Sequence, residues 1–307
     1  MQYIKQELTE FTSTNLTDIY PDWSPTTTYV VELDNALTSA SVVRYDSYYY
    51  RSVTSPNYGF NPSTYENIKW VKIGVSNKYA MLDLSANSKS TKQSGDLVVV
   101  FPQNYHYTLG LGNYDASSVL VEILAGDLTT VLWSFSSLDS ISLDVYDYYS
   151  YIYEPYSVDQ NFSSKIELPI TGVYIRVTFK RLPSLDLSSC GYLILGTAMD
   201  MGKSLLPVKF NYNSFADKTV DDLGKLIINK SWVQDLVDFE TVIASTTLSR
   251  MRRELKSIYD EVVLFVVDER EDSLFENVMT LGVIQDASVI MENHIESVVS
   301  FSVMEAL

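Results

Sequence analysis

Short apolar runs separated by turn-forming residues dominate the first two hundred positions of the chain. The runs are rich in β-branched and aromatic residues, and Gly, Pro, Asn, Asp or Ser bound them: 96–102, 118–125, 129–136, 172–183 and 190–199. Such segments are typical of strands, and the alternation in "VYIRVTFKR" indicates a strand with one buried face. Because no helical periodicity separates them, the pattern predicts an antiparallel β-sandwich over residues 84–203 with little or no helix.

The pattern changes after Gly202. Apolar residues recur at helical spacing within 246–262, which predicts an amphipathic helix that packs through Leu248, Met251, Leu255 and Ile258. A buried strand is expected to follow at 262–269, and alternation near the end of the chain predicts another at 299–303. Residues 204–307 are therefore predicted to form an α+β domain.

Residues 42–83 are crowded with tyrosine and predict a small module of short strands. Asp46-Ser47 is a turn-type dipeptide, and a two-residue turn there pairs Tyr45 with Tyr48 and places Val43 opposite Tyr50. A unit this small has little aliphatic core, so rings are expected to fill it. The natural fillers are Trp23, Tyr29, Tyr45, Tyr50 and Trp70, whereas Tyr49 is expected to point the other way and lie outside.

The Ser-rich, polar segment 84–95 predicts a loop or linker after this module. The chain is thus predicted to be mainly β, with three parts. These are an N-terminal segment and small hairpin module (1–83), a central antiparallel β-sandwich (84–203) and a C-terminal α+β domain (204–307).

Some of the many rings are expected to remain exposed as a contact surface. The candidates in the module are Tyr48, Tyr49, Tyr58 and Phe60, and a second group in the sandwich comprises Tyr148, Tyr149, Tyr151 and Tyr153. Exposed rings can stack on a sugar or anchor a protein partner. The same rings could instead be internal, so the residues alone leave these alternatives open.

The net charge of the chain bears on which classes of partner it can bind. The net charge is −17, with 22 basic and 39 acidic residues. A nucleic-acid-binding protein needs a basic face to displace counterions from phosphates, so nucleic acid is not expected as a partner. No stretch approaches about 18 consecutive apolar residues, so membrane insertion is not expected. The N-terminus has no export signal, which predicts synthesis in the cytoplasm.

Residues that could carry catalysis are sparse. His106 and His294 lie in different predicted domains and lack metal-ligand spacing, and Cys190, the only cysteine, is expected to be a buried small hydrophobe. We therefore expect no enzyme activity, no cofactor and no metal. One alternative stays open: paired carboxylates can hydrolyse glycosides, and the tyrosine-rich stretch 144–159 offers Asp144, Asp147, Glu154 and Asp159.

Three phrases carry a resemblance to a known class of proteins: "YDSYYYRS", "SPNYGFNP" and "WVKIGVSNKYAMLD". Their order and spacing resemble a phrase common in virion proteins of tailed bacteriophages, and the first part is similar to small chitin-binding-type modules. "GYLILGTAMDMGKS", "VVLFVVDERED" and "VVSFSVMEAL" resemble later parts of the same virion proteins more weakly. The chain departs from the pattern at Leu82, where the usual residue is Phe.

The resemblance implies a structural protein of a phage tail, baseplate or fibre-attachment region, located in the virion. Other tail or baseplate proteins are the implied partners, together with further copies of the chain in a homo-oligomer. The alternative is a carbohydrate-binding protein that recognises a host surface glycan.

Overall fold

The protein is mainly β, as predicted. The computed structural model describes residues 1–7, 10–31, 41–85, 87–104, 106, 108–137, 163–181, 186–220, 226–229, 231–268, 278–291 and 295–306. Over these ranges the chain forms antiparallel sheets and a single short α-helix. The predicted contact residues Tyr148, Tyr149, Tyr151 and Tyr153, the carboxylates of 144–159 and His294 lie outside the described residues.

The strands fall into three groups along the chain. The first group is β1 (Gln2–Ile4), β2 (Ser13–Thr14), β3 (Thr28–Tyr29), β4 (Val42–Tyr45), β5 (Tyr48–Ser52), β6 (Asn57–Tyr58) and β7 (Trp70–Val75). The second is β8 (Ser90–Gln93), β9 (Leu97–Pro102), β10 (Thr108–Gly112), β11 (Val119–Leu124), β12 (Val131–Ser137), β13 (Ser163–Glu167), β14 (Tyr174–Phe179), β15 (Leu187–Cys190), β16 (Tyr192–Gly196) and β17 (Ala198–Asp200). The third is β18 (Lys203–Ser214), β19 (Asp217–Val220), β20 (Leu226–Asn229), β21 (Val233–Ala244), β22 (Val263–Asp268), β23 (Val278–Ile290) and β24 (Glu296–Glu305).

Two sheets face each other in the central part. One has the order β12-β11-β14-β9-β2 and the other β13-β10-β16. Alternating residues of both sheets meet in one core, where Phe101, Leu111, Val121 and Ile175 are fully buried. The described residues between 96 and 200 form no helix, which agrees with the predicted sandwich.

The C-terminal part is a seven-stranded sheet of order β17-β1-β22-β23-β24-β21-β18, and helix α1 (Leu248–Ile258) packs on it. Met251, Leu255 and Ile258 are buried against strand residues of this sheet, and Leu248 packs at the edge of the same cluster, as predicted. The buried strand expected at 262–269 is β22, and the alternation at 299–303 belongs to β24.

The first residues of the chain do not lie with the small module. β1 pairs with β17 and β22, so it is an inner strand of the C-terminal sheet. β2 pairs with β9 at the edge of the sandwich. The N-terminal segment therefore ties together parts that are far apart in sequence, while the limits at 83 and 203 stay predictions.

Candidate functional site

The module is organised by the hairpin of β4 and β5. Tyr45 pairs with Tyr48 and Val43 with Tyr50, which is the predicted register. Asp46 in the turn has φ of 56°, a left-handed conformation that Asp tolerates better than most residues. The local sequence therefore determined both the turn and the faces of the two strands.

Rings fill the core of the module, as predicted. Tyr29, Val43, Tyr50 and Trp70 are buried together, and Trp23 and Tyr45 pack against them. The Trp70 indole Nε1 donates a hydrogen bond to the carbonyl of Phe60 at 2.9 Å. The rings of Tyr29 and Trp70 pack edge to face, with their centroids 5.2 Å apart. Trp70 thus contributes apolar area and also satisfies its polar atom, as buried Trp residues usually do.

Tyr49 corrects the prediction of an exposed contact residue. It lies on the opposite face from Tyr50, as alternation requires, but its side chain is only 9% exposed. The hydroxyl donates to Asp18 Oδ1 at 3.0 Å and accepts hydrogen bonds from the backbone N–H groups of Ile19 and Asn77 at 3.2 and 3.3 Å. Burial raises the pKa of Tyr49. Segments distant in sequence cover this face, and strand alternation gives no sign of such a cover.

Asp18 is a charged residue in the segments that cover Tyr49. Its Oδ2 lies 3.1 Å from Arg44 Nη1 and 3.6 Å from Lys78 Nζ. The Asp18 side chain is nearly buried, so these charges attract one another more strongly than an exposed pair would. Together with Tyr49, they fasten the N-terminal segment to the hairpin.

The end of the third phrase fastens the module to the sandwich. The Asn77 amide nitrogen donates to the carbonyls of Thr17 and Thr91 at 3.0 and 2.9 Å, and its oxygen accepts from Thr91 N–H at 2.8 Å. Met81 is buried in the sandwich core. Asp83 Oδ1 accepts hydrogen bonds from Ser88 Oγ at 2.6 Å and from Ser85 N–H at 3.0 Å, while burial raises the pKa of its carboxyl. The phrase therefore both builds the module and holds it in place.

The remaining predicted rings of the module differ in exposure. Tyr58 is 58% exposed and stands free at the surface. Tyr48 is half-buried, and Lys72 Nζ lies 3.1 Å from the centre of its ring. Phe60 is half-buried against Tyr65, with centroids 4.9 Å apart. Only Tyr58 is thus a fully available anchor, and Tyr48 and Phe60 present part of a ring.

A shallow cleft lies beside Tyr48. It is lined by Tyr45, Asp46, Tyr48, Tyr50 and Ser63. The hydroxyl of Tyr45 accepts a hydrogen bond from Asn61 Nδ2 at 2.8 Å, which fixes one wall. The sequence assigned Tyr45 and Tyr50 to the core and did not indicate that they also reach a cleft, because core and cleft residues share one face of the hairpin.

Two of the residues considered for catalysis, Cys190 and His106, lie in the described part of the chain, and both are buried. Cys190 is fully buried, and burial raises the pKa of its thiol. His106 Nδ1 lies 3.1 Å from Glu7 Oε2 beneath the surface. Among the described residues, no group of three or more His, Cys, Asp or Glu side chains is placed to hold a metal ion.

In the described part of the chain, no helix has both the length and the apolar character that crossing a membrane requires. Comparisons of the chain with protein-family models, with curated proteins and with solved structures find no match.

Proposed function

We propose that this chain is a structural virion protein of a tailed bacteriophage that assembles through protein–protein contacts in the tail, baseplate or fibre-attachment region. The observation that carries the proposal is the phrase spanning Tyr45 to Asp83, which resembles phage virion proteins. Its residues here form a ring-filled module and fix that module on the sandwich. The proposed location is the virion, after synthesis in the host cytoplasm.

A rigid attachment suits an assembly protein. The polar network around Asp18, Tyr49 and Asn77 holds the module against two other parts of the chain. A contact surface that is already fixed loses little conformational entropy on binding, so more of the contact energy remains as affinity. Tyr58 projects from this fixed surface, and Tyr is enriched at interfaces because it covers a large area at low entropic cost.

The test is incorporation into particles. Particles released by cells that carry the gene would be purified on a density gradient and probed with antibody to the chain. We expect the chain to co-sediment with assembled particles and tail proteins. Tyr58→Ala should reduce incorporation, whereas Tyr259→Ala, an exposed Tyr beside α1, should not. A chain that stays entirely in the soluble fraction would refute the proposal.

The cleft beside Tyr48 favours a second candidate function, binding of a host surface glycan. Sugars are recognised by rings that cover their apolar faces and by polar groups that bond to their hydroxyls, and this cleft offers three tyrosines, Asp46 and Ser63. A glycan array and calorimetry with the isolated chain test it. Binding that Tyr48→Ala abolishes and Tyr259→Ala leaves intact would support it, and the absence of binding to any envelope glycan would contradict it.

A further inference from the structure

Two strands of the C-terminal sheet continue beyond it as a ribbon. β18 and β21 pair up to Ser214 and Val233, and Phe215 N–H donates to the Trp232 carbonyl at 3.1 Å. β19 and β20 then extend the same hairpin. The neighbouring strand β24 reaches only as far as Leu236, which it pairs through Met304. Residues 209–233, here called the arm, are therefore two-stranded over most of their length in the described part of the chain.

The arm exposes a concentration of large apolar side chains. Tyr212 and Trp232 are 71% and 65% exposed, and three more apolar residues of the arm are also exposed: Phe210, Phe215 and Val233. A two-stranded ribbon is marginally stable in water when nothing covers its apolar side. Contiguous exposed apolar residues of this kind mark interaction surfaces.

The register shows that Phe210, Tyr212 and Val233 continue the core face of the sheet, whereas Phe215 and its partner Trp232 lie on the opposite face of the ribbon. Phe210 pairs with Val237, and Val237 is buried in the cluster beneath α1. Tyr212 follows two residues after Phe210 and therefore lies on the same face. The face is covered by α1 near Val237 and becomes exposed along the arm.

The charge of the arm differs from that of the rest of the chain. Four lysines and three aspartates give residues 209–233 a net charge of +1, whereas the whole chain carries −17. The remainder of any copy therefore carries −18 and attracts the arm of another copy.

We propose that the arm packs on a second copy of this chain, where its exposed rings are covered and the exposed Lys209 lies near the acidic body of that copy. This inference rests on the proposed function, because it names the surface through which copies of the chain would assemble. Four rings at about half exposure, two on each face of the ribbon, together offer roughly 400 Å² to a partner that contacts both faces. Two reciprocal arms and the surfaces they cover then bury roughly 1,600 Å², the usual size of a specific interface.

The first experiment measures association of the purified full chain by sedimentation velocity. We expect the wild type to form an assembly of at least two chains and the double variant Tyr212→Ser/Trp232→Ser to dissociate at least tenfold more readily. The control is Ile170→Ser, which removes a half-exposed apolar side chain (50%) from the sandwich, away from the arm. The control should associate like the wild type. Amide exchange in β9 and α1 should be the same in all three proteins, because the changed residues are exposed.

The second experiment tests the charge. Lys209→Glu with Lys218→Glu should weaken association at low salt, and the difference from wild type should shrink at high salt as the charges are screened. A wild-type chain that is monomeric, or arm variants that associate like the wild type, would overturn the inference.

Failure of this inference and failure of the proposed function have different signatures. A monomeric chain whose arm variants are lost from particles would mean that another virion protein covers the arm, so the second-copy inference fails and the virion role stands. A chain that self-associates through the arm but is absent from particles would mean that the second-copy inference stands and the virion role fails.

Discussion

The small module and the central sandwich are both β structures, but they are held together differently. Among the described residues, the module core consists mostly of rings, with Tyr29, Tyr50 and Trp70 around the aliphatic Val43. The sandwich core is a much larger cluster, mostly of Leu, Val and Ile from two facing sheets. The module thus depends on a few large side chains, whereas the sandwich distributes its stability over many.

The polar tips of the rings explain why the module needs the sandwich. Tyr49 ends on Asp18 and on two backbone N–H groups outside the hairpin. Those segments are themselves held by the sandwich through Asn77 and Met81. We therefore expect damage in the module to stay local and damage in the sandwich to spread to the module.

The largest local effect is expected from Trp70→Ala. Removing a buried Trp costs about 3–5 kcal/mol, and the carbonyl of Phe60 also loses its donor. Amide hydrogen exchange should show lost protection in β4, β5 and β7 with protection retained in β9 and β11. Equal loss of protection in both regions would contradict the local character of the module core.

Leu111→Ala tests the opposite direction. Leu111 is fully buried in the sandwich, and a Leu→Ala change in a core costs about 2–5 kcal/mol. Urea unfolding followed by hydrogen exchange should show weaker protection in β9 and also in β4 and β5, because the module loses its support. If the module keeps its full protection, it does not depend on the sandwich.

Tyr49→Phe should have a smaller effect. The change keeps the ring but removes the acceptor of two backbone N–H groups, at about 1–3 kcal/mol. Thermal unfolding should show this loss, while Tyr58→Phe, at an exposed hydroxyl, should melt like the wild type. Equal melting of the two variants would mean that water replaces the lost bonds and that Tyr49 does not fasten the module.

The smallest effect concerns pH and the link between the two regions. Burial raises the folded-state pKa of Asp83 above its unfolded value, so its ionised form opposes folding above the folded pKa. This penalty disappears as pH falls through the folded pKa toward the ordinary Asp value. Asp83→Asn should therefore melt slightly above the wild type at pH 7, and the gap in Tm should close toward about pH 4. A difference in Tm between Asp83→Asn and the wild type that does not change with pH would contradict a raised pKa of Asp83.

The sequence predicted features that depend on neighbours along the chain. The turn at Asp46 and the pairing of Tyr45 with Tyr48 follow from two-residue hairpin geometry, and the buried face of α1 follows from the spacing of Met251 and Leu255. Features that depend on distant segments were missed. The cover over Tyr49 comes from residues 18–20 and 76–79, and no local pattern in either segment indicates that they meet.

The arm shows the same limit for a different reason. Phe210 and Tyr212 alternate with Lys209, Asn211 and Asn213, but both rings are exposed, so this alternation does not mark a buried face. Periodicity detects a strand through the contrast between its two faces. Alternation indicates which residues share a face but not whether another element covers that face, so only the three-dimensional structure shows that the arm is exposed.

The position of β1 has a consequence for the order in which the molecule can fold during synthesis. Gln2–Ile4 pair with Leu264–Val266, so the earliest residues of this strand need partners that are made about 260 residues later. At roughly 5–20 residues per second, a ribosome needs on the order of 13–50 s to make that stretch. The sandwich can form in the meantime around β2 and β9. The seven-stranded sheet cannot be completed until β22 and the strands after it have been made and β1 has paired with β22. Completion of that sheet is therefore a late event, and a chain cut short before residue 264 would leave β1 without the strand on one of its sides.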